Sequence, residues 1–366
     1  MNRSALQNVH SGIASLQPYQ PGKPIEEVAR ELGLTDIVKL ASNENPMSPG
    51  VGVREAIAGE LASLSRYPDG NGFVLKRALE KHLGVQSQQL TLGNGSNDVL
   101  DLVARVAIEP GYEAVVAEHS FVVYRLAVTS AGGRLIEVPA KNYGADLEAM
   151  AAAITDRTRV IFLANPNNPT GTWVEHDELV AFLDQVPSSV WVVLDEAYAE
   201  YSELPNYPRA LELLENYSNL IVTRTFSKIY GLASLRVGYG ISSPIFADML
   251  NRARQPFNLS SIALAGAAAA LDDDEYVAAS VAMNREGMQQ MTAGLDALGL
   301  SYIPSLGNFV SVEFKQDAAS IYEGLLRQGV IVRPIAVYGL PRHLRVSIGL
   351  PAENNRFLEA LAGVIG

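Results

Sequence analysis

The chain has 366 residues, of which 48% are hydrophobic and 19% charged, a composition typical of globular proteins and unlike that of disordered or fibrous ones. Its 40 acidic and 28 basic residues give a net charge of −12, which disfavours nucleic-acid binding, and the absence of cysteine excludes disulfides, thiol nucleophiles and thiolate metal sites. The five histidines show no metal-ligand spacing, so we expect no metal site. The longest apolar run, residues 262–271, has about half the length that a bilayer requires, and the first twenty residues lack the apolar core of a signal peptide. We therefore expect a cytoplasmic protein that does not enter the membrane.

From about residue 50, helical patterns alternate with short apolar runs. Apolar spacing predicts helices over residues 53–64, 74–83 and 97–108. Continuous apolar runs predict strands at residues 114–117, 160–163, 190–194 and 220–223. Strands without polar alternation are buried on both faces, so the pattern indicates an α/β fold with a mainly parallel sheet covered by helices. Ligands then belong at the carboxyl ends of the strands.

The two ends of the chain have a different pattern. After residue 258 come two alanine-rich helices, short strands at 309–314, 330–333 and 344–347, and a last helix from about 352. The prolines at 18, 21 and 24 predict an extended N-terminal arm. At roughly 150 residues per domain, we predict an arm with part of a small domain in 1–45, a large domain in 46–257, and a small α+β domain in 258–366.

Two of the predicted strands end in residues that can carry chemistry. The run at 190–194 is followed by Asp195, and Tyr198 comes three residues later. The run at 220–223 leads to Lys228, a residue type that forms a Schiff base when its surroundings lower its pKa. Hydroxyl and guanidinium groups close to this lysine suit a phosphate monoester; they belong to Thr225, Ser227 and Arg236. Taken alone, the acid could be an ordinary loop residue and the lysine an ordinary surface residue.

Two turns complete the set of motifs. Residues 92–98 open a predicted helix with two glycines, so their free amides could bind an anion, or Ser96 or Asn97 could simply cap the helix. Residues 165–171 follow the strand at 160–163 and form a rigid turn around Asn168. The four motifs together supply a lysine, an acid, an asparagine, a tyrosine and a phosphate cradle, which is the set that pyridoxal phosphate needs.

With these motifs the sequence resembles the fold-type I pyridoxal-phosphate aminotransferases, and more narrowly their histidinol-phosphate branch. The resemblance extends almost from end to end, and it includes the segments 18–24, 39–46, 66–70, 305–309 and 344–349. It implies a large domain with a mainly parallel sheet, a smaller α+β domain, and pyridoxal 5'-phosphate as the cofactor.

The resemblance also implies a role for each matching residue around the cofactor. Lys228 would form the Schiff base and move the proton, Asp195 would pair with the pyridinium nitrogen, and Tyr198 with Asn168 would bind the ring oxygen. Tyr124 would stack on the ring. The phosphate would be held by Gly95, Ser96, Asn97, Thr225, Ser227 and Arg236, and by Tyr67 of a neighbouring subunit. Asn97 stands where many family members have an acidic residue, and we expect little effect because backbone amides do the binding there.

On the substrate side, the resemblance implies that Arg345 binds the α-carboxylate, with Asn168 beside it and with Arg333 and Tyr19 on the phosphate side. The implied reaction transfers an amino group from glutamate to imidazole-acetol phosphate in histidine biosynthesis, by a ping-pong cycle through pyridoxamine phosphate. The expected assembly is a homodimer whose active sites are shared across the interface. An aromatic amino-acid aminotransferase remains an alternative, and so does a pyridoxal-phosphate decarboxylase or lyase.

Overall fold

The computed structural model describes residues 9–18 and 22–366. In this part of the chain the helices are α1 Ser11–Ser15, α2 Ile25–Leu32, α3 Val51–Glu60, α4 Phe73–Leu83, α5 Ser96–Ala107, α6 Val122–Ser130, α7 Leu147–Ala152, α8 His176–Leu183, α9 Ala210–Leu213, α10 Pro244–Ala253, α11 Ser261–Ala270, α12 Asp274–Ala297, α13 Ala319–Arg327 and α14 Pro351–Ile365. The strands are β1 Val38–Lys39, β2 Leu90–Gly93, β3 Glu113–Ala117, β4 Arg134–Val138, β5 Thr158–Ala164, β6 Trp191–Asp195, β7 Leu220–Thr225, β8 Gly238–Ile241, β9 Ser301–Ile303, β10 Phe309–Glu313, β11 Val330–Ile331, β12 Arg333–Pro334 and β13 His343–Ser347.

The largest sheet has seven strands in the order β2-β8-β7-β6-β5-β3-β4. All neighbouring pairs are parallel except those of β8, which runs antiparallel to both β2 and β7. The predicted α/β fold with a mainly parallel sheet is confirmed. Because β5, β6 and β7 run side by side in the same direction, their carboxyl ends meet at one edge of the sheet.

Both faces of this sheet are covered, as the continuous apolar runs predicted. On one face Ile161 and Leu194 pack against α7 and α8. On the other face Phe162 and Val193 pack against α5, α6 and α10. Burial on both sides explains why these strands carry apolar residues at successive positions.

A second sheet of four antiparallel strands has the order β12-β13-β10-β9, and β1 pairs with β11 in a separate parallel pair. The prediction of one strand over 330–333 is wrong, because this stretch changes partner halfway. Val330 pairs with the N-terminal β1, whereas Arg333 pairs with Arg345 on β13. The segment before residue 45 therefore contacts the C-terminal part of the chain.

The N-terminal arm is not extended throughout, since it contains the helices α1 and α2. Pro24 keeps an extended backbone and precedes the first residue of α2, a position that tolerates the missing N–H of proline. Across the described residues, none of the helices combines the length and the apolar character needed to cross a membrane.

Candidate active site

A cavity lies at the edge where the carboxyl ends of β5, β6 and β7 meet the start of α5 and the strands β12 and β13. Most of the residues that the sequence analysis singled out line it, namely Ser96, Asn97, Tyr124, Asn168, Asp195, Tyr198, Thr225, Ser227, Lys228, Arg236, Arg333 and Arg345. The four motifs, which lie between residues 92 and 236 of the sequence, therefore meet at one place, as expected for an open α/β sheet.

One end of the cavity is built from the first turn of α5 and the side chain of Arg236. Gly95, with φ +82, occupies the N-cap position of the helix, so neither Ser96 nor Asn97 is the cap. A Cβ added to Gly95 would lie 2.4 Å from Nη2 of Arg236, so the guanidinium is in close contact with the start of the helix. Nη1 of Arg236 donates to Oγ of Ser227 at 3.0 Å. Helix amides, a guanidinium and hydroxyls together make an anion-binding cradle.

The last residue of β6, Asp195, is buried beneath the cavity. Its Oδ2 accepts a hydrogen bond from the hydroxyl of Tyr124 at 2.9 Å, and its Oδ1 accepts one from Thr223 at 3.2 Å. Burial raises the pKa of Asp195 to about 6, against the effect of these hydrogen bonds. A cationic group bound in the cavity would stabilise a buried carboxylate of this kind.

The ring of Tyr124 is packed into the protein. It is fully buried, stacks on Phe162 with centroids 5.0 Å apart, and is positioned by its hydrogen bond to Asp195. Phe121, which the sequence analysis did not single out, also lines the cavity and is only half-buried. Both rings line the cavity, so Phe121 is a second candidate for the stacking role predicted for Tyr124.

Lys228 follows the end of β7 and reaches across the cavity to the N-terminal arm. Its Nζ donates to the backbone carbonyls of Ser42 and Asn43 at 3.1 and 3.2 Å. Burial, followed by the positive charge of Arg345, lowers the pKa of Lys228 to about 7. A substantial fraction of this amine is therefore uncharged at neutral pH, which is the nucleophilic form.

The hydroxyl of Tyr198 lies on the same side and accepts a hydrogen bond from Nδ2 of Asn43 at 3.0 Å. Burial raises the pKa of Tyr198 to about 12, so the phenol keeps its proton at neutral pH. Asn43 was missed by the sequence analysis, although it lies inside the segment 39–46 that carries part of the family resemblance.

Two arginines face the cavity from neighbouring strands. Arg345 on β13 donates to Oδ1 of Asn168 at 2.5 Å and to the carbonyl of Ala41 at 2.7 Å. Arg333 on β12 is its partner in the register of the two strands, and both side chains are buried. Two adjacent guanidinium groups provide a binding site for an anion with several oxygens.

The remaining two predicted site residues do not belong to the described cavity wall. Tyr19 lies outside the residues that the structure describes. Tyr67 is 85% exposed and stacks on Phe257 with centroids 4.8 Å apart.

Glu196, next to Asp195, has a role that the sequence analysis did not assign. Its Oε2 accepts two hydrogen bonds from Arg224, from Nη2 at 2.7 Å and from Nε at 3.0 Å. The glutamate side chain is fully buried, and burial raises its pKa while the arginine opposes this shift. The pair joins β6 to β7 directly behind Asp195 and Lys228.

The chain matches known proteins over nearly its whole length. The model of the family "Aminotransferase class I and II" matches residues 35–361. A histidinol-phosphate aminotransferase 2 of Pseudomonas fluorescens is 57% identical, covering 100% of this chain and 99% of that protein. The protein of the same name from Pseudomonas aeruginosa is 58% identical over 97% of this chain and 96% of its own length.

Solved structures agree with these sequence matches. The histidinol-phosphate aminotransferase of Sinorhizobium meliloti, solved in complex with pyridoxal-5'-phosphate, superimposes with a TM-score of 0.92 at 32% identity, over 100% of this chain and 99% of that one. The aspartate aminotransferase of Thermus thermophilus with maleate gives a TM-score of 0.84 at 23% identity, over 98% of this chain and 99% of that one, which shows the shared fold. The chain belongs to the class I and II aminotransferases, and within them to the histidinol-phosphate aminotransferase family.

Proposed function

We propose that this protein uses pyridoxal 5'-phosphate to transfer an amino group from L-glutamate to imidazole-acetol phosphate, forming L-histidinol phosphate and 2-oxoglutarate in histidine biosynthesis. The observation that carries this proposal is the meeting of Lys228, Asp195 and the pair Arg333 and Arg345 in one cavity. The name shared by the Pseudomonas relatives supports the choice of substrate. Amino-acid biosynthesis and the absence of cysteine both favour a cytoplasmic location.

The residues of the cavity fit the three polar parts of this cofactor. The cradle of Gly95 and Arg236 suits its phosphate, the buried carboxylate of Asp195 suits its ring nitrogen, and the partly neutral amine of Lys228 suits its aldehyde. When bound, the cofactor supplies a ring that withdraws electrons from the substrate carbon bearing the nitrogen. Asp195 would stabilise a proton on the ring nitrogen, because a cationic partner compensates the cost of burying its charge.

We assign proton transfer to Lys228 and a hydrogen bond to the cofactor ring oxygen to Tyr198. With a pKa lowered to about 7, Nζ of Lys228 can accept the proton of the substrate carbon and donate it again at neutral pH. Tyr198 keeps its proton and would donate a hydrogen bond to the ring oxygen, where Asn168 would be a second donor. The carbonyls of Ser42 and Asn43 hold the lysine amine close to the cavity.

The two arginines explain how one cavity serves two different substrates. Glutamate carries an α-carboxylate, whereas histidinol phosphate carries a phosphate ester on the carbon next to its amino-bearing carbon. Arg345 can bind either anion through its planar donor groups, and Arg333 on the adjacent strand adds donors for the larger dianion. This arrangement favours a phosphate substrate over phenylalanine or tyrosine, which have a single carboxylate.

We further infer that the protein is a homodimer in which Tyr67 reaches the cofactor phosphate of the partner. Tyr67 and its stacking partner Phe257 lie on the surface together with other exposed apolar side chains from the same region, namely Leu61, Leu64, Phe73 and Val74. Exposed apolar surface of this kind is typical of an interface between subunits. Sedimentation velocity of the protein at micromolar concentration tests this inference, and an active monomer would contradict it.

The reaction itself is tested with half-reactions. The purified protein, loaded with cofactor, is mixed with L-histidinol phosphate alone or with phenylalanine alone, and the absorption of the bound cofactor is followed in a stopped-flow instrument. A strong preference for histidinol phosphate is expected. Comparable or faster reaction with phenylalanine would make the protein an aromatic amino-acid aminotransferase, and release of carbon dioxide would indicate a decarboxylase. Lys228→Ala should abolish both the bound-cofactor band and the reaction while the protein remains folded.

A further inference from the structure

Asn43 has no assigned role so far, although it forms hydrogen bonds with two residues of the site. It is 1% exposed and lies in the loop between β1 and α3, far in sequence from the strands that carry the reacting groups. Its Nδ2 donates to the hydroxyl of Tyr198, and its carbonyl accepts from Lys228. It thus contacts both groups that we place at the reacting end.

The orientation of the Asn43 amide is fixed by Ser347. The backbone N–H of Asn43 donates to Oγ of Ser347 at 2.8 Å, so the serine hydroxyl has its own proton left to donate to Oδ1 of Asn43, at 3.1 Å. Oδ1 therefore faces Ser347, and Nδ2 faces Tyr198. The carbonyl of Asn43 is further held by Nδ2 of Asn308 at 3.0 Å.

This orientation decides where the Tyr198 proton points. Among the described residues, the hydroxyl makes one hydrogen bond, in which it is the acceptor. A phenol oxygen that accepts a hydrogen bond on one side keeps its O–H for an acceptor elsewhere, and Tyr198 lines the cavity. An aspartate or a serine hydroxyl at the position of Nδ2 could instead accept this proton and turn it away from the cavity.

Building on the proposed function, we propose that Asn43 is a positioning residue that acts through Tyr198: its amide, locked by Ser347, directs the tyrosine O–H into the cavity toward the cofactor ring oxygen. The backbone supports this assignment, because Asn43 has φ +53, a conformation that glycine and asparagine adopt more readily than other residues. Glycine at this position therefore removes the amide without adding backbone strain.

The test is a double-mutant cycle read by absorption. The pH at which the band of the bound cofactor titrates is measured for the wild type, Asn43→Gly, Tyr198→Phe and the double variant. A hydrogen bond to the ring oxygen stabilises its negative charge, so weakening it should raise the titration midpoint of Asn43→Gly by about half a pH unit to one unit. In the Tyr198→Phe background, Asn43→Gly should cause no further shift.

Asn284→Ala is the matched control, since it removes another buried asparagine amide whose hydrogen bond goes to the carbonyl of Gly307. An unchanged midpoint in Asn43→Gly, an equal shift in both backgrounds, or the same shift in Asn284→Ala would each overturn the proposal.

If Asn43→Gly does not fold, as judged by thermal unfolding of the apoprotein, Ser347→Ala takes its place. A smaller upward shift that depends on Tyr198 is then expected, and its absence overturns the proposal. If the wild type shows no band of bound cofactor, the proposed function itself is contradicted.

Discussion

Arg345 donates a hydrogen bond to Oδ1 of Asn168 over 2.5 Å, although the two residues are 177 positions apart in the sequence. The contact joins a strand of the second sheet to the turn after β5. The arginine that we propose to bind the substrate anion is therefore held by the asparagine that we propose to bind the cofactor ring oxygen, so the two binding sites share one rigid connection.

Removal of this guanidinium should affect both substrates. We expect Arg345→Ala to raise the KM for glutamate and for histidinol phosphate alike, by about 30-fold or more, because loss of a buried charged partner costs about 2 kcal/mol or more. Arg345→Lys should recover part of the loss, since it keeps the charge but not the planar donor groups. Steady-state kinetics with each substrate provide the measurement, and an unchanged KM for both would remove Arg345 from the anion site.

Arg333 should instead distinguish phosphate from carboxylate. Arg333→Gln is expected to lower kcat/KM for histidinol phosphate at least tenfold more than kcat/KM for phenylalanine, because a lost charge-assisted hydrogen bond contributes about 1.5 kcal/mol or more. The ratio of the two specificity constants, measured in parallel in wild type and variant, is the readout. A ratio that does not change would place Arg333 outside the substrate phosphate site.

The cradle at the start of α5 can be tested with a pair of glycines. Gly95→Ala puts a methyl group 2.4 Å from Arg236, whereas Gly111→Ala, at a similar positive φ, meets no atom within 4 Å. Both changes add backbone strain, so both should lower the Tm of the apoprotein. We expect only Gly95→Ala to weaken cofactor binding, by about tenfold or more in Kd. Equal cofactor affinities in fluorescence titrations of the two variants would argue against a phosphate at this cradle.

The lowered pKa of Lys228 predicts a pH-dependent stability of the apoprotein. Between pH 7 and the ordinary lysine pKa of 10.5, the unfolded chain holds a proton on Lys228 that the folded protein has released. The stability of the wild type should therefore rise with pH in this window, and Lys228→Met should lack this contribution. Calorimetry should show that the Tm of Lys228→Met minus the Tm of the wild type decreases from pH 7 to pH 10. A constant difference would mean that the lysine titrates normally.

The buried pair of Glu196 and Arg224 predicts a large effect on folding. Arg224→Met leaves the carboxylate of Glu196 buried without its cation, which should lower the free energy of unfolding by about 3 to 5 kcal/mol. Adding Glu196→Gln should restore much of that loss, because the uncompensated charge is gone. Urea unfolding of four apoproteins (the wild type, Arg224→Met, Glu196→Gln and the double variant) gives the comparison, and additive effects of the two substitutions would show that the pair is not coupled.

Residues at the ends of buried parallel strands could be found from the sequence. Asp195 and Lys228 follow continuous apolar runs, and the packing of a parallel sheet then forces them to the same edge. The strand β8 was missed because two of its four residues are glycines, which weaken a strand pattern; its Gly238 is instead required for close packing, since a Cβ there would lie 2.2 Å from the nitrogen of Ser96.

Contacts that depend on distant parts of the chain could not be found in this way. Nothing in the local sequence around Asn43 indicates that its partners are Tyr198 and Ser347, because the pairing is produced by the packing of the arm against β13. The same limit explains the error at 330–333, where the apolar run 330–332 leads directly into Arg333, so that two short strands with different partners look like one. Periodicity reports burial, whereas the choice of partner is a tertiary property.

The contacts between the segment after β1 and strand β13 have a consequence for the order in which the protein is completed during synthesis. The carbonyl of Ala41 and the backbone N–H of Asn43 form hydrogen bonds with residues 304 positions further along the chain. These bonds cannot form before that stretch has been synthesised. At about 5 to 20 residues per second, a ribosome needs roughly 15 to 60 s to make that stretch. The strands that carry Asp195 and Lys228 can fold on one another well before then. We therefore expect the cofactor cradle to be complete in the nascent chain, and the carbonyls that hold the lysine amine to take their place last, together with Arg333 and Arg345.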